Sequence, residues 1–129
     1  MIVDASALLA IVLGEADGER FYMSLGRAGG SAVSAVNFVE AAIRADQDSS
    51  GGRGELLDEL MQHFEVRIAS ITPEQATMAR EAYQRYGKGR HPARLNLGDC
   101  FAYALAKARR EPLLFKGEDF AKTDIEAAI

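Results

Sequence analysis

The chain has 129 residues, one cysteine and a formal net charge of −4, which is enough for one hydrophobic core and too little for two. A lone cysteine excludes an internal disulfide, 48% apolar against 26% charged residues excludes a disordered chain, and the acidic balance argues against indiscriminate nucleic-acid binding. No apolar run approaches the roughly 20 residues of a membrane span, and Met1-Ile2-Val3-Asp4 lacks the basic start of a signal peptide, so a cytoplasmic protein away from membranes is expected.

Met1-Ile2-Val3 predicts a short buried strand, and the run Leu8 to Leu13, closed by Gly14, predicts a helix after it. Asp4 falls between them, just past a strand end, where open α/β sheets gather ligands. It can equally serve as the cap of that helix, and Ser6 can bond either Asp4 or a free helix N–H. Phe21 and Leu25, four apart, place a packing helix over Asp17 to Arg27. Gly29-Gly30 break the chain, Ser31-Ala32-Val33-Ser34 reads as a second strand, and Val36 to Arg44 as a helix. Within it Glu40 stands among Phe38, Val39, Ala41, Ala42 and Ile43. Such an acid lies on a solvent stripe or is held inside for chemistry, and the mixed face it shares with Val36, Ile43 and Arg44 favours the second.

Asp46 to Gly54 is a polar, glycine-rich loop, and Leu56, Leu57, Leu60, Met61 and Phe64 then mark an amphipathic helix over Glu55 to Phe64. Val66 and Ile68, with Ile71 nearby, alternate with Arg67 and Ser70 as a third strand. Thr72-Pro73-Glu74-Gln75 is a helix start: Thr72 caps, Pro73 takes the first helical position, and Gln75 is placed to reach back to the cap. That helix runs to about Tyr86. Lys88, Arg90, His91 and Arg94 follow, with no acid between Gly87 and Gly98, as a solvated loop or a phosphate-holding rim. Leu95-Asn96-Leu97-Gly98 then turns Asp99 into the start of a largely apolar helix over 99–108. An acid there is stabilised by the helix's free N–H groups or by a bound cation. Leu113-Leu114-Phe115 gives a fourth strand with Lys116-Gly117-Glu118-Asp119-Phe120 at its carboxyl end, and Asp124-Ile125 begins a small final strand or turn.

Strands alternating with helices predict an α/β fold, one domain over 1–129 with a short central parallel sheet flanked by helices. Parallel strands release their chains on one sheet edge, so Asp4, Glu40, Asp99 and Glu118 or Asp119 can converge without being neighbours in sequence. Clustered carboxylates stay ionised together only with protons or a cation between them. Oxygen donors without a matching His or Cys select a hard ion, Mg²⁺ or Mn²⁺, and His63 and His91 show no paired-ligand spacing. Such an ion suits phosphodiester hydrolysis, and Lys88, Arg90, Arg94 and Lys116 would attract a backbone that bare acids repel.

Four stretches carry a resemblance: Ile2 to Leu8 around Asp4, Glu40 in its helix, Gly87-Lys88-Gly89-Arg90-His91 through Leu95-Asn96-Leu97-Gly98-Asp99-Cys100, and Leu114 to Phe120. In order and spacing they resemble a PIN-domain ribonuclease toxin of the VapC type, over essentially the whole chain. The resemblance implies a PIN-like fold and a metal-dependent endoribonuclease, with Asp4, Glu40 and Asp99 forming the Mg²⁺ site and Mn²⁺ as a substitute. It implies a homodimer held inactive by a cognate VapB-like antitoxin, in a larger complex, with an extended antitoxin tail blocking the acidic pocket. Two departures stand out. Ala5 occupies a position where many relatives carry Thr, with Ser6 retained. The fourth acid, counted from the end of the last strand as in many relatives, falls on Gly117; Glu118 and Asp119 lie one and two places later, and Asp119 is favoured because it immediately precedes Phe120.

A phosphoacceptor receiver domain would need paired acids after the first strand and an acceptor Asp after the third, where this chain has only Asp4 and Ala69-Ser70-Ile71. A haloacid-dehalogenase-type phosphatase would need Asp at position 6, where Ser6 stands. A noncatalytic binding module with a degenerate pocket is the alternative from a different class. It is disfavoured because every expected acid is present.

Overall fold

The computed structural model describes residues 1–129. Its elements are β1 (Ile2–Val3), α1 (Ala5–Val12), α2 (Gly18–Ala28), β2 (Ser31–Ser34), α3 (Ala35–Asp46), α4 (Arg53–His63), β3 (Val66–Ala69), α5 (Pro73–Tyr86), α6 (Leu97–Arg109) and β4 (Leu113–Leu114), then a 3₁₀ turn over Phe120–Lys122. The strands pair in parallel in the order β3-β2-β1-β4. Ile2 lies beside Ala32 on one side and Leu113 on the other.

Alternation along these strands divides the core between the two faces of the sheet. Ile2, Ala32 and Leu113 pack with Leu105, Tyr103 and Ala79 under α5 and α6. Val3, Val33 and Leu114 pack with Leu8, Phe21, Ala41 and Leu57 under α1 to α4. Helices lie on both faces of the sheet, so the central strand β1 and its neighbour β4 can be short and wholly apolar, as buried parallel strands are. The order also sets a switch point. The chain leaves β1 toward β2 and β3 on one side, then crosses back to β4 on the other, so the carboxyl ends of β1 and β4 flank a crevice.

Two strands differ from the sequence expectation. Val66 and Ala69 are buried, but Ile68 is 51% exposed. Ile68 does pair beside Val33, as its alternation requires, but β3 is the sheet's outer strand and nothing covers that position. The last strand ends at Leu114, and Phe115 instead packs against Phe120 with ring centroids 5.2 Å apart. Beyond it the chain returns to cover the β4 edge. Leu113 N–H donates to the Glu126 carbonyl, and Ala128 N–H to the Leu113 carbonyl, both at 2.9 Å, which pairs backbone groups that an open edge would expose. No helix is long and apolar enough to cross a membrane.

Candidate active site at the switch point

Asp4 follows β1 directly and caps α1, so the helix-cap reading holds at a position just past a strand end. It is 5% exposed, and its Oδ2 accepts from the Ser6 N–H at 3.0 Å and the Ser6 hydroxyl at 2.6 Å. The same Ser6 oxygen accepts from the Lys116 backbone N–H at 3.0 Å, tying the end of β1 to the segment after β4 across the crevice. Burial pushes the Asp4 carboxyl above the usual range, against the hydrogen bonds from Ser6 and the Ala5 backbone that favour its charged form.

Asp99 occupies the third position of α6, and the helix N-terminus is the stabilising partner that the fold supplies. Asn96 caps the helix: its Oδ1 accepts from the Asp99 N–H at 2.9 Å, and Asp99 Oδ2 accepts from the Asn96 N–H at 3.0 Å. This reciprocal box holds the carboxylate at the helix N-terminus, where negative charge is favoured. Even so, its pKa is pushed up to about 6, by burial first and then by the charges of Asp4, Asp119 and Glu40, against the Asn96 bond that lowers it. Asp119, exposed in the segment after β4, is thus near enough for its charge to act on Asp99. Glu118 is not among the charges that act on Asp99.

Glu40 stands at the rim rather than inside. The residue is exposed, yet its carboxylate lies over the first turn of α6, where a Cβ at Gly98 would strike both of its oxygens. Burial raises its pKa, the Asn37 amide lowers it, and the Asp4 charge raises it. In this arrangement no three of these acids close to the spacing of one ion's full ligand set. The donor set still fits Mg²⁺, which keeps several of its waters and takes only one or two carboxylates directly.

The basic loop is a braced structure. Lys88 N–H donates to the Leu95 carbonyl and Leu95 N–H to the Tyr86 carbonyl, both at 3.0 Å. His91 serves the turn, its Nδ1 accepting from the Ala93 N–H at 3.0 Å while its ring stands edge-on to Tyr86. Lys88, Arg90 and Arg94 are exposed and join no ion pair; the Arg90 guanidinium lies 5.4 Å from the Tyr83 ring centre. Lys116 differs, because its ammonium pairs with Glu15.

Three residues of the site were not singled out from sequence as site residues. Asn37 is fully buried, and its Nδ2 donates to Glu40 Oε1 and to the Gly98 carbonyl, each at 2.9 Å. Its position three residues before Glu40 on one helix was the available signal. Asn96 carried a capping signature with Asp99 three residues on. Gly98 gave no sign, because its importance lies in what a side chain there would displace. A separate apolar groove of about 580 Å³, lined by Ile11, Val12, Tyr22, Leu56 and Leu60 among others, contains none of these acids.

This geometry has known counterparts. The family model of the PIN domain matches residues 1–126. The ribonuclease VapC42 of Mycobacterium tuberculosis is 43% identical over 129 residues, covering 99% of this chain and 98% of the relative. A ribonuclease VapC of Mycolicibacterium smegmatis is 42% identical over 127 residues, covering 98% of each. The crystal structure of M. tuberculosis VapC20, a toxin that cleaves the sarcin-ricin loop, superposes with a TM-score of 0.76 at 16% identity over 96% of this chain and 95% of that one, a likeness of fold. The chain belongs to the PIN-domain family and, within it, to the VapC ribonucleases.

Proposed function

We propose that this chain is the toxin of a toxin–antitoxin pair, an endoribonuclease that hydrolyses RNA phosphodiester bonds with a divalent ion in the carboxylate crevice. The observation that carries the reading is that Asp99, its carboxyl raised first by burial, also lies within reach of the charges of Asp4, Asp119 and Glu40. Four like charges gathered at a sheet edge weaken the fold, and a cation between them removes that cost.

Asp4, Glu40 and Asp99 would hold Mg²⁺, with Mn²⁺ as a substitute, and Asp119 would assist from the opposite lip. When bound, the ion supplies a water of lowered pKa and neutralises charge growing on the phosphate. The protein's own part is positional. Ser6 holds Asp4, Asn96 holds Asp99, and Lys88, Arg90 and Arg94 receive the RNA backbone beside the start of α6, with Lys116 near the other lip. The partners in this reading are RNA, a VapB-like antitoxin and a second copy of the chain, the toxin dimer joining the antitoxin in a larger complex in the cytoplasm.

The test is cleavage of a cellular RNA pool by the purified chain with Mg²⁺ or Mn²⁺, with chelator, and with Asp99→Asn. Discrete fragments are expected only from the parent and only with metal. Equal cleavage by Asp99→Asn would refute the site, and metal-dependent RNA binding without cleavage would favour a noncatalytic module.

A further inference from the structure

We propose that Asn37 is a positioning residue of this site: one buried amide, working with the bare backbone of Gly98, sets the Glu40 carboxylate at a fixed spacing from Asp99. The proposal rests on the reading of Glu40 as an ion-holding acid and adds the means by which it is held.

Asn37 does not serve the cap of its own helix. It occupies the third position of α3, where a side chain commonly completes the helix cap, but the α3 cap residue Ser34 makes no side-chain cap bond, and Asn37 Oδ1 has no partner. Nor does packing require an amide, since a fully buried polar side chain between two helices is costlier than an apolar one unless its hydrogen bonds repay it. Both bonds that it makes point at the site. Nδ2 spends one proton on Glu40 Oε1 and the other on the carbonyl of Gly98, the peptide that leads directly into Asp99. A single nitrogen therefore gauges two acids carried by different helices.

Gly98 closes the clamp from the other side. A Cβ there would occupy the place of the Glu40 carboxylate, so the acid lies against the turn of α6 only because that residue has no side chain. With Oε1 engaged by the amide, Oε2 is the oxygen left to face an ion or its water. Partners of this kind, which hold a ligating carboxylate by its second oxygen, typically change metal affinity 10- to 100-fold when removed.

The two halves of the clamp can be broken independently. Asn37→Leu keeps a branched side chain and removes both donors. Gly98→Ala leaves Asn37 intact and favours the helix, and because the carboxylate ends a flexible side chain it can swing away without unfolding the chain. The measurements are the Mn²⁺ dissociation constant of the RNA-free protein by electron paramagnetic resonance, kcat and KM on an RNA that the parent cleaves, and the melting temperature. Asn37→Leu and Gly98→Ala should each weaken Mn²⁺ binding about tenfold or more and lower kcat with KM within about twofold, and Glu40→Gln should do the same. Asn37→Leu should add less than its full effect in the Glu40→Gln background, because part of that effect passes through the Glu40 carboxylate.

Variants that lower the melting temperature but keep the parent's Mn²⁺ affinity and kcat would make Asn37 merely structural and overturn the proposal. So would losses that add in full in the double variant. A Glu40→Gln variant with parent affinity and kcat would instead overturn the assignment of Glu40 itself, and the clamp with it.

Discussion

Asp99 is held by its Asn96 box and at the same time pushed up to about 6 by burial and three neighbouring acids, which makes a charged Asp99 a liability to the metal-free fold. Between about pH 4 and 6 the native state binds more protons than the unfolded one, so this contribution to stability falls as pH rises through that window and is fully lost above it. The raised carboxyls of Asp4 and Glu40 act in the same direction. The bare shift sets an upper bound of about 3 kcal/mol at 1.36 kcal/mol per pKa unit, and solvent screening reduces it to about half. Asp99→Asn keeps an oxygen to accept from the Asn96 N–H, so at pH 7.5 in chelator it should be more stable than the parent by about 1 to 2 kcal/mol while losing cleavage. Urea titrations at pH 7.5 and 5 test this; the gap should narrow at the lower pH, and a less stable variant at pH 7.5 would show that the acids are not opposed.

Lys116 is a second residue whose charge is already engaged. Its ammonium is committed to Glu15, which lowers its value as an attractor of phosphate. Glu15→Gln, made in an inactive Asp99→Asn background, should tighten RNA binding and steepen the log-log salt dependence by about 0.7, the increment for one freed phosphate contact on single-stranded RNA. Filter-binding titrations across salt concentrations measure it. An unchanged slope would place Lys116 outside the RNA path.

At the scale of elements, the basic loop tests the same electrostatics with its charges already free. Arg90→Ala with Arg94→Ala should flatten the salt slope by about 1.4, roughly 0.7 for each contact, and leave the melting temperature nearly unchanged, because the loop is braced by backbone bonds from Tyr86, Lys88 and Leu95 rather than by these side chains. Elements were also what the sequence stated most clearly. The Thr72 start of α5 is present, its Oγ1 accepting from the Gln75 N–H at 3.1 Å, because capping is a local interaction between residues three apart. The return bond from Gln75 is absent, and that side chain is buried instead. The exposure of Ile68 was illegible for a different reason: alternation gives a side chain its face, but only strand order shows that β3 is an edge. Asp4 and Asp99 were legible through their positions beside strand and helix ends. Asn37 offered only its spacing from Glu40, and Gly98 nothing, because their contact exists only where α3 meets α6, 61 residues apart in sequence.

At the scale of the whole molecule, the candidate site lies where the chain is closed on both sides of the crevice. β1 supplies Asp4 from the centre of the sheet, while Asp119 comes from the segment after β4, whose tail must be fastened to stay there. The fastening is Asp124, which accepts from the Tyr103 hydroxyl at 2.6 Å and the Lys107 ammonium at 2.9 Å, with Arg85 at 3.7 Å. Burial works to raise the Asp124 carboxyl, but these partners outweigh it and hold it down at about 2. A depressed folded pKa stabilises the native state above the unfolded value near 4, and the contribution disappears as pH falls through about 2. The side chain is 37% exposed, so screening reduces the effect of its ion pairs, and Asp124→Asn should cost about 1 kcal/mol. Urea titrations should show the same gap between parent and variant at pH 7 and pH 5 and a smaller one at pH 3. With Asp124→Asn, amide exchange should accelerate at Leu113 and Ala128, whose N–H groups pair the tail with β4, before it does so in the rest of the sheet. Uniform acceleration would mean that the tail is not an independent closure and that Asp119 is held by the core alone.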